Sequence, residues 1–392
     1  MDRRNFLYQG LQVGAFLTMP QFLASCKSYE GLDDSLHQRE ILNAEVKKLA
    51  PILQAISIGI TAPNPHNTQA WKFLIHDELS MSLYADEKRL LMETDPTTRQ
   101  IHLGQGSFIE LFCIGAKEIG YDVKIELLPE GENLLMDIGK KPIAYLQLKA
   151  NQSINKDVIY TSVAKRAINR SNYEGDLLTQ FELETIQSIC QLHYSTFHYS
   201  NIESEMQTIQ NSILEAINIE TNSLAKNDES RFWFRYNDDE IFTKKDGISL
   251  RGNGLSGIKY WMARNFFLRK GKTAWNSESG RKQSIAAMEK PLMTAKAFAF
   301  LKTATNTQKD WINAGRDFAR LHLGVTQAGF VLHPYSQILQ EYPEMKQAQQ
   351  KFNDHLNIRE PEKIQMLFRL GRSDYKFFSP RRSISDMVIK DV

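Results

Sequence analysis

Residues 102–121, "HLGQGSFIELFCIGAKEIGY", and residues 311–330, "WINAGRDFARLHLGVTQAGF", read as two versions of one helix, and that reading decides the fold. Gly106, Gly115 and Gly120 of the first match Gly315, Gly324 and Gly329 of the second. The spacing is constant, since 315 − 106, 324 − 115 and 329 − 120 all equal 209. Thr94 and Thr303 stand at the same separation. Apolar residues recur at helical intervals in both (Ile109, Phe112, Ala116, Ile119; Phe318, Leu321, Val325, Ala328). Each copy ends in Gly plus an aromatic residue, a helix stop leading into extended chain. A glycine inside a helix costs about 1 kcal/mol relative to Ala. Glycines at matching mid-helix places therefore point to close packing against another backbone.

Working outward, each copy is followed by an alternating, β-compatible run: "KPIAYLQLK" (141–149) after the first and "EKIQMLFRLGRS" (362–373) after the second. Helical patterns precede both, "LNAEVKKLAPILQAISIGIT" (42–61) and "LTQFELETIQSICQL" (178–192). The pattern predicts an α+β protein of two tandem units, each a helix set around a small sheet, facing one another as an intramolecular pseudo-dimer. The expected boundaries are 27–152 and 153–392, the second with an insertion or lid over about 225–295.

The chain has 392 residues, 42% of them hydrophobic and 24% charged, which suits a globular protein with a large core. A net charge of +2 makes no electrostatic case for nucleic acid. There is no CxxC or HExxH, and the nine histidines lack metal-ligand spacing, so no metal is expected. Cys113 and Cys190 sit in apolar helical patterns and read as buried thiols.

Three polar clusters interrupt this pattern. "ITAPNPHNTQAW" (60–71) crowds Asn64, His66, Asn67 and Gln69 around two prolines. "VAKRAINRSNYEG" (163–175) brings together Lys165, Arg166 and Arg170, and "SPRRSISDMV" (379–388) carries Arg381 and Arg382. Arginine suits bidentate phosphate binding. Together with the repeat, these stretches resemble the nitroreductase family of FMN-dependent oxidoreductases, and most closely its tandem, single-chain branch. "APNPHNTQAW" is similar to the family's A-P-S-x-x-N-x-Q-P-W segment, with Asn64 for the usual Ser and Ala70 for the usual Pro. "KRAINRSNY" is similar to its basic phosphate loop, and "LFRLGRSDYKFFSPRRSISDMV" to its C-terminal strand, turn and Arg pair.

That resemblance implies a nitroreductase-like fold and an FMN site shared between the units. Arg166 and Arg170 would hold the phosphate, with Asn169 beside them and Arg381 or Arg382 completing the site. Pro63, Asn64, Asn67 and Gln69 would close over the flavin from the first unit. The turn "GFVLHPYSQ" (329–337), with His333 and Ser336, would lie against the ring. One complete and one eroded flavin site are expected. No catalytic side chain is expected, because the flavin carries the chemistry. The implied activity is electron or hydride transfer to a small acceptor of the nitroaromatic or quinone class; the alternative is a covered flavin-binding or FMN-sequestering protein. Both a monomeric pseudo-dimer and a homodimer are compatible with the repeat.

The N-terminus, "MDRRNFLYQGLQVGAFLTMPQFLASC", resembles a twin-arginine export signal over 1–26 that ends in a lipoprotein box with Cys26 as the lipidated residue. It implies an exported, periplasmic or membrane-anchored protein of a bacterial cell envelope. Residues 244–282 are basic and aromatic, and three readings stand open: a lid, a membrane-surface helix and an ordinary packed insertion.

Overall fold

The computed structural model describes residues 46–151, 153–267 and 271–389. The signal-like segment, Cys26 and the start of the first predicted unit lie outside the described residues. Two four-stranded antiparallel sheets dominate. The first contains β1 (Trp71–Asp77), β2 (Ser80–Ala85), β3 (Tyr121–Leu127) and β4 (Ala144–Ala150) in the order β1-β2-β4-β3. The second contains β5 (Thr196–Ser200), β8 (Ala297–Thr303), β9 (Val331–Pro334) and β10 (Lys363–Gly371) in the order β5-β8-β10-β9. Both sheets thus place their strands as first, second, fourth, third. A short parallel pair, β6 (Phe234–Arg235) and β7 (Ile248–Ser249), lies in the connection between β5 and β8.

A short helix precedes each sheet, α1 (Pro51–Gly59) and α3 (Gln180–Cys190). The first is shorter than its apolar pattern. Pro51 lacks an N–H to donate and opens the helix at its first turn, and among the described residues before it Val46–Lys48 form a 3₁₀ turn. Between the second and third strands of each sheet runs a long helix, α2 (Arg99–Glu118) in the first and α10 (Gln308–Gln327) in the second. Both bounds differ by 209, as 308 − 99 and 327 − 118 show. Gly120 and Gly329 follow these helices at φ 90° and 83°, in the left-handed region that glycine enters without strain.

The two long helices pack on each other at their matched glycines. A Cβ on Gly106 would lie 1.8 Å from Ile312 O, and one on Gly315 would lie 2.0 Å from Leu103 O. Ile312 and Leu103 are themselves 209 apart, so the contact is pseudo-symmetric. Gly115 and Gly324 do the equivalent service toward the short helices, against Ile58 and Cys190. An ionic network crosses the same junction. Glu110 pairs with Arg316 at 2.9 Å and with Arg320 at 3.0 Å, and Arg320 also pairs with Asp157 at 2.8 Å.

The units differ in one connection. β1 and β2 form a tight hairpin, whereas the path from β5 to β8 carries α4 (Glu203–Asn222), α5 (Leu224–Phe232), α6 (Asp238–Lys244), α7 (Gly257–Met262), α8 (Lys272–Trp275) and α9 (Glu278–Leu292). Ile209, Ile213, Ala216 and Ile217 of α4 join a core with Phe298 and Phe300 of β8. The chain ends by returning to the first sheet. Phe73 N–H donates to Met387 O at 2.9 Å and Ile389 N–H to Phe73 O at 2.8 Å, which covers the outer edge of β1. Cys113 and Cys190 are buried free thiols, pushed up to about 12 by desolvation.

Candidate functional site

The segment from Ile60 to Gln69 is built on the end of α1. A helix leaves its last carbonyls unpaired and carries partial negative charge there, so cations are favoured. Backbone N–H groups of Ile60, Thr61 and Ala62 close the last turn, and Arg381 from the C-terminal tail takes the carbonyls just beyond it: its Nε donates to Ile60 O at 2.7 Å, and its Nη2 donates to Thr61 O and Ala62 O, both at 3.1 Å. Arg166 donates from Nη2 to Thr61 O and from Nη1 to His322 Nδ1 at 3.2 Å. His322 Nε2 in turn faces Ala167 O at 3.2 Å, which sets the ring's tautomer. The basic loop, the tail and the first unit thus meet at one helix end.

Beyond it the backbone is strained. His66, Asn67 and Gln69 have φ of 47°, 52° and 51°. Side chains with a Cβ occupy this region at a cost, and such clusters persist where surrounding contacts enforce them. The contacts here are the segment's own amides. Asn64 Oδ1 accepts from Gln69 N–H at 2.8 Å, and its Nδ2 donates to Ala62 O at 3.1 Å. Asn67 Oδ1 accepts from Arg381 Nη1 at 3.0 Å. Gln69 donates to Lys245 O at 2.7 Å and accepts from Arg382 N–H at 2.8 Å. The polar knot therefore uses Asn64, Asn67 and Gln69 to hold its shape and to bind the tail and the insertion, while Pro63 is buried behind them.

His66 is left over. Its Nδ1 is shut from solvent without a hydrogen-bond partner, and burial with the nearby Arg170 charge pulls its pKa down to about 4. His333, from β9, is in the same condition. It is 8% exposed, its Nδ1 lacks a partner, and burial with Arg170 and Arg369 drives its pKa well below the usual range. Residues 331–334, expected as a turn, form an edge strand on Phe368–Gly371, and it is this pairing that holds His333 in place. Ser336 follows the strand in helical conformation and accepts from Leu339 N–H.

Arg170 therefore acts electrostatically on imidazoles from both units. Among the described residues its guanidinium makes no hydrogen bond and no ion pair, and burial lowers its pKa to about 10. Asn169 positions it: its N–H donates to Leu332 O at 3.0 Å, its Nδ2 donates to Tyr375 O at 2.8 Å, and its Oδ1 accepts from Ser171 Oγ at 2.7 Å. Behind lies Arg369, fully buried, 3.7 Å from the centre of the Tyr173 ring, donating to Ser171 O at 2.6 Å, with Nε unpartnered. Arg381 is also shifted down to about 10 by burial, and neither Arg369 nor Arg381 forms an ion pair among the described residues.

A buried charge without a counter-charge is expensive, and buried polar atoms are almost always paired. Arg170, Arg369 and Arg381 lack carboxylate partners here, and two imidazole nitrogens are open beside Arg170. This donor set fits an anionic group of the phosphate type and a ligand with polar edges. It does not fit a metal: no group of three or more His, Cys, Asp or Glu is so placed among the described residues.

The Arg pair of the tail divides. Arg381 turns to α1 and Asn67, while Arg382 turns away, donating to Gln69 O at 3.3 Å and Asp386 O at 2.8 Å. Sequence reasoning did not single out Arg369 or the role of His66. The signal for Arg369 was present: one arginine in the otherwise apolar run "MLFRLG" (366–371).

No family model matches the chain. The chain is 30% identical over 78 residues to the Mycobacterium tuberculosis protein named "Putative NAD(P)H nitroreductase acg"; the match covers 20% of this chain and spans 23% of that relative's length. Among solved structures, the FMN and NADPH-dependent nitroreductase NfnB from Sphigopyxis sp. strain HMH superposes with a TM-score of 0.37 at 12% identity, covering 60% of this chain and 99% of that one. An Anabaena variabilis protein described as "a putative nitroreductase" gives 0.38 at 12% identity, over 75% of this chain and 69% of the other. Likeness at these TM-scores carries no assignment, and the chain spans less than a quarter of the length of the curated relative it matches.

Proposed function

We propose that this chain is a tandem nitroreductase-type flavoprotein that binds one FMN between its units and transfers electrons to a small organic acceptor of the nitroaromatic or quinone class. The observation that carries this reading is the meeting of Arg170, His66 and His333, from two halves of the chain, with no carboxylate to neutralise the arginine. FMN, when bound, supplies hydride or single-electron transfer at its N5. The residues supply the rest. Arg170, with Arg166 and Arg381 at the α1 terminus, would hold the phosphate by charge-assisted hydrogen bonds. Arg369, stacked on Tyr173, supports Arg170 from behind and adds positive potential. His66 and His333 stay neutral, so the open Nδ1 of each offers one donor or one acceptor, according to its tautomer, to a polar ring edge without taking up a proton. The strained segment keeps its backbone near the ligand, and its amides hold that conformation in advance of binding.

A second reading, FMN storage, is favoured by one observation: the insertion lies directly on this segment. Gly247 N–H donates to Asn67 O at 3.2 Å, and Lys245 O accepts from Gln69. Two measurements separate the readings. Purified protein should show flavin absorbance, and Arg170→Ala should weaken FMN binding about 10- to 100-fold. A colourless protein that takes up no FMN would sink both. Anaerobic bleaching by NADH or NADPH, with dithionite as the control reductant, supports turnover; bleaching by dithionite alone supports storage.

We further propose export through the twin-arginine route, with Cys26 as the lipid anchor. Arg3→Lys with Arg4→Lys should retain the protein in the cytoplasm, and Cys26→Ser should release it from the membrane fraction. Unchanged fractionation of both variants would overturn the proposal.

A further inference from the structure

Arg382 faces a second basic site. It lines a cavity of about 500 Å3 with Arg89, Thr243, Lys244, Lys245 and Asp386, between the end of α6 in the insertion and the C-terminal tail. That volume is ordinary for a small-molecule site. The charges around it do not balance. Arg89 is engaged by Asp246 at 2.8 Å, and Asp246 also holds the buried Arg235 at 2.6 Å. Arg382 lies 3.7 Å from Asp86, which Lys72 shares at 3.6 Å. Asp386 accepts from Ser383 Oγ at 2.6 Å, and its carboxylate also feels the Arg382 and Lys245 charges. Lys244 and Lys245 remain, and among the described residues neither ammonium forms an ion pair or hydrogen bond. Asp386 is the one carboxylate among the lining residues, against the four cations Arg89, Lys244, Lys245 and Arg382, so the lining stays net positive. Lys245 is at φ 55°, a left-handed C-cap that ends α6 and turns the chain back over Gln69.

We propose that this cavity binds a small phosphorylated dianion, held by Lys244 and Lys245 and backed by Arg89 and Arg382. Lysines are compact point charges on flexible stems, suited to a phosphate that needs neutralising more than a fixed bidentate geometry. The site is separate from the one around Arg170: Arg382 lines it and donates to Gln69 O and Asp386 O, whereas Arg381, which donates to Ile60 O, Thr61 O and Ala62 O, and Arg170 are not part of the lining. Its existence does not depend on the flavin reading. A bound dianion would tie the insertion to the tail across Gln69, whose amide already touches both.

The test is calorimetric titration of the purified full-length chain with inorganic pyrophosphate and, separately, citrate at constant ionic strength. Lys244→Gln combined with Lys245→Asn removes both charges; Asn tolerates the left-handed backbone at 245. Pyrophosphate binding should weaken at least about 10-fold in this variant. It should be unchanged in Arg170→Ala, and the thermal midpoint without anion should match the parent. Equal loss in Arg170→Ala would place the anion in the Arg170 site and overturn the proposal, as would undiminished binding in the lysine variant or no binding to the parent. Citrate binding as tightly as pyrophosphate would overturn the phosphate preference.

Discussion

His102 shows how much one residue can depend on its surroundings. In the sequence it opens the repeat; in the structure it is fully buried in α2, its Nδ1 facing Thr98 O at 2.8 Å and its ring edge-on to Trp311 at 5.6 Å. Burial pulls its pKa down to about 4 from an ordinary 6.5. The unfolded chain then takes up a proton near pH 6.5 that the folded chain refuses until about pH 4. Stability from this group is therefore full above pH 6.5 and is lost as the pH falls toward 4, by up to about 3 kcal/mol. Asp95 works in the opposite sense: burial raises its pKa to about 7, so its ionisation weakens the fold as the pH rises from the ordinary carboxylate range. The net slope mixes both, so the informative measurement is a difference. Urea unfolding of His102→Gln between pH 4 and 6.5 should show a pH slope smaller than the parent's by about one proton. An unchanged slope would mean that His102 titrates normally in the fold.

At the scale of elements, the crossing of α2 and α10 is the feature on which the two units depend. Each matched glycine admits the other helix's carbonyl, and a methyl group at either place would collide with backbone that has nowhere to go. Gly106→Ala and Gly315→Ala should each cost at least about 3 kcal/mol, measured by chemical denaturation. Gly115→Ala should cost less, because its nearest neighbours are Ile58 side-chain atoms at 2.5 to 3.0 Å, a milder overlap than the 1.8 Å and 2.0 Å approaches to backbone oxygen at Gly106 and Gly315. The reverse ranking would place the critical contact at α1. The ionic network beside the crossing is buried enough that removing one partner strands another. Glu110→Gln leaves Arg316 and Arg320 short of a counter-charge and should cost about 3 kcal/mol or more.

For the whole molecule, the tail after β10 ties the chain together. It adds to the edge of β1, sends Arg381 to the end of α1 and Arg382 to the Lys244–Lys245 cavity. Truncation after Phe378 removes all three contacts. It should lower the thermal midpoint and, on the flavin reading, weaken FMN binding about 10- to 100-fold through the loss of Arg381. Arg382→Ala alone should leave FMN binding close to the parent's. Equal loss in both variants would show that the two arginines share one site.

The sequence by itself determined the repeat, and with it the architecture. Glycine spacing, helix periodicity and strand alternation are local consequences of backbone geometry, and each unit's strand order follows the same plan. It also marked the basic loop, the Arg pair and the polar knot, because arginines and strained amides have no place in an apolar pattern. Only the tertiary structure decided what those residues touch. Asn64, Asn67 and Gln69 bind the protein itself, His66 and His333 are the nitrogens left open, Arg369 enters from a core strand, and Arg381 and Arg382 part company. The reason is physical: a side chain's hydrogen-bond partners come from segments hundreds of residues away, brought close by packing of the two units, and no local pattern encodes which of several amides will be satisfied first.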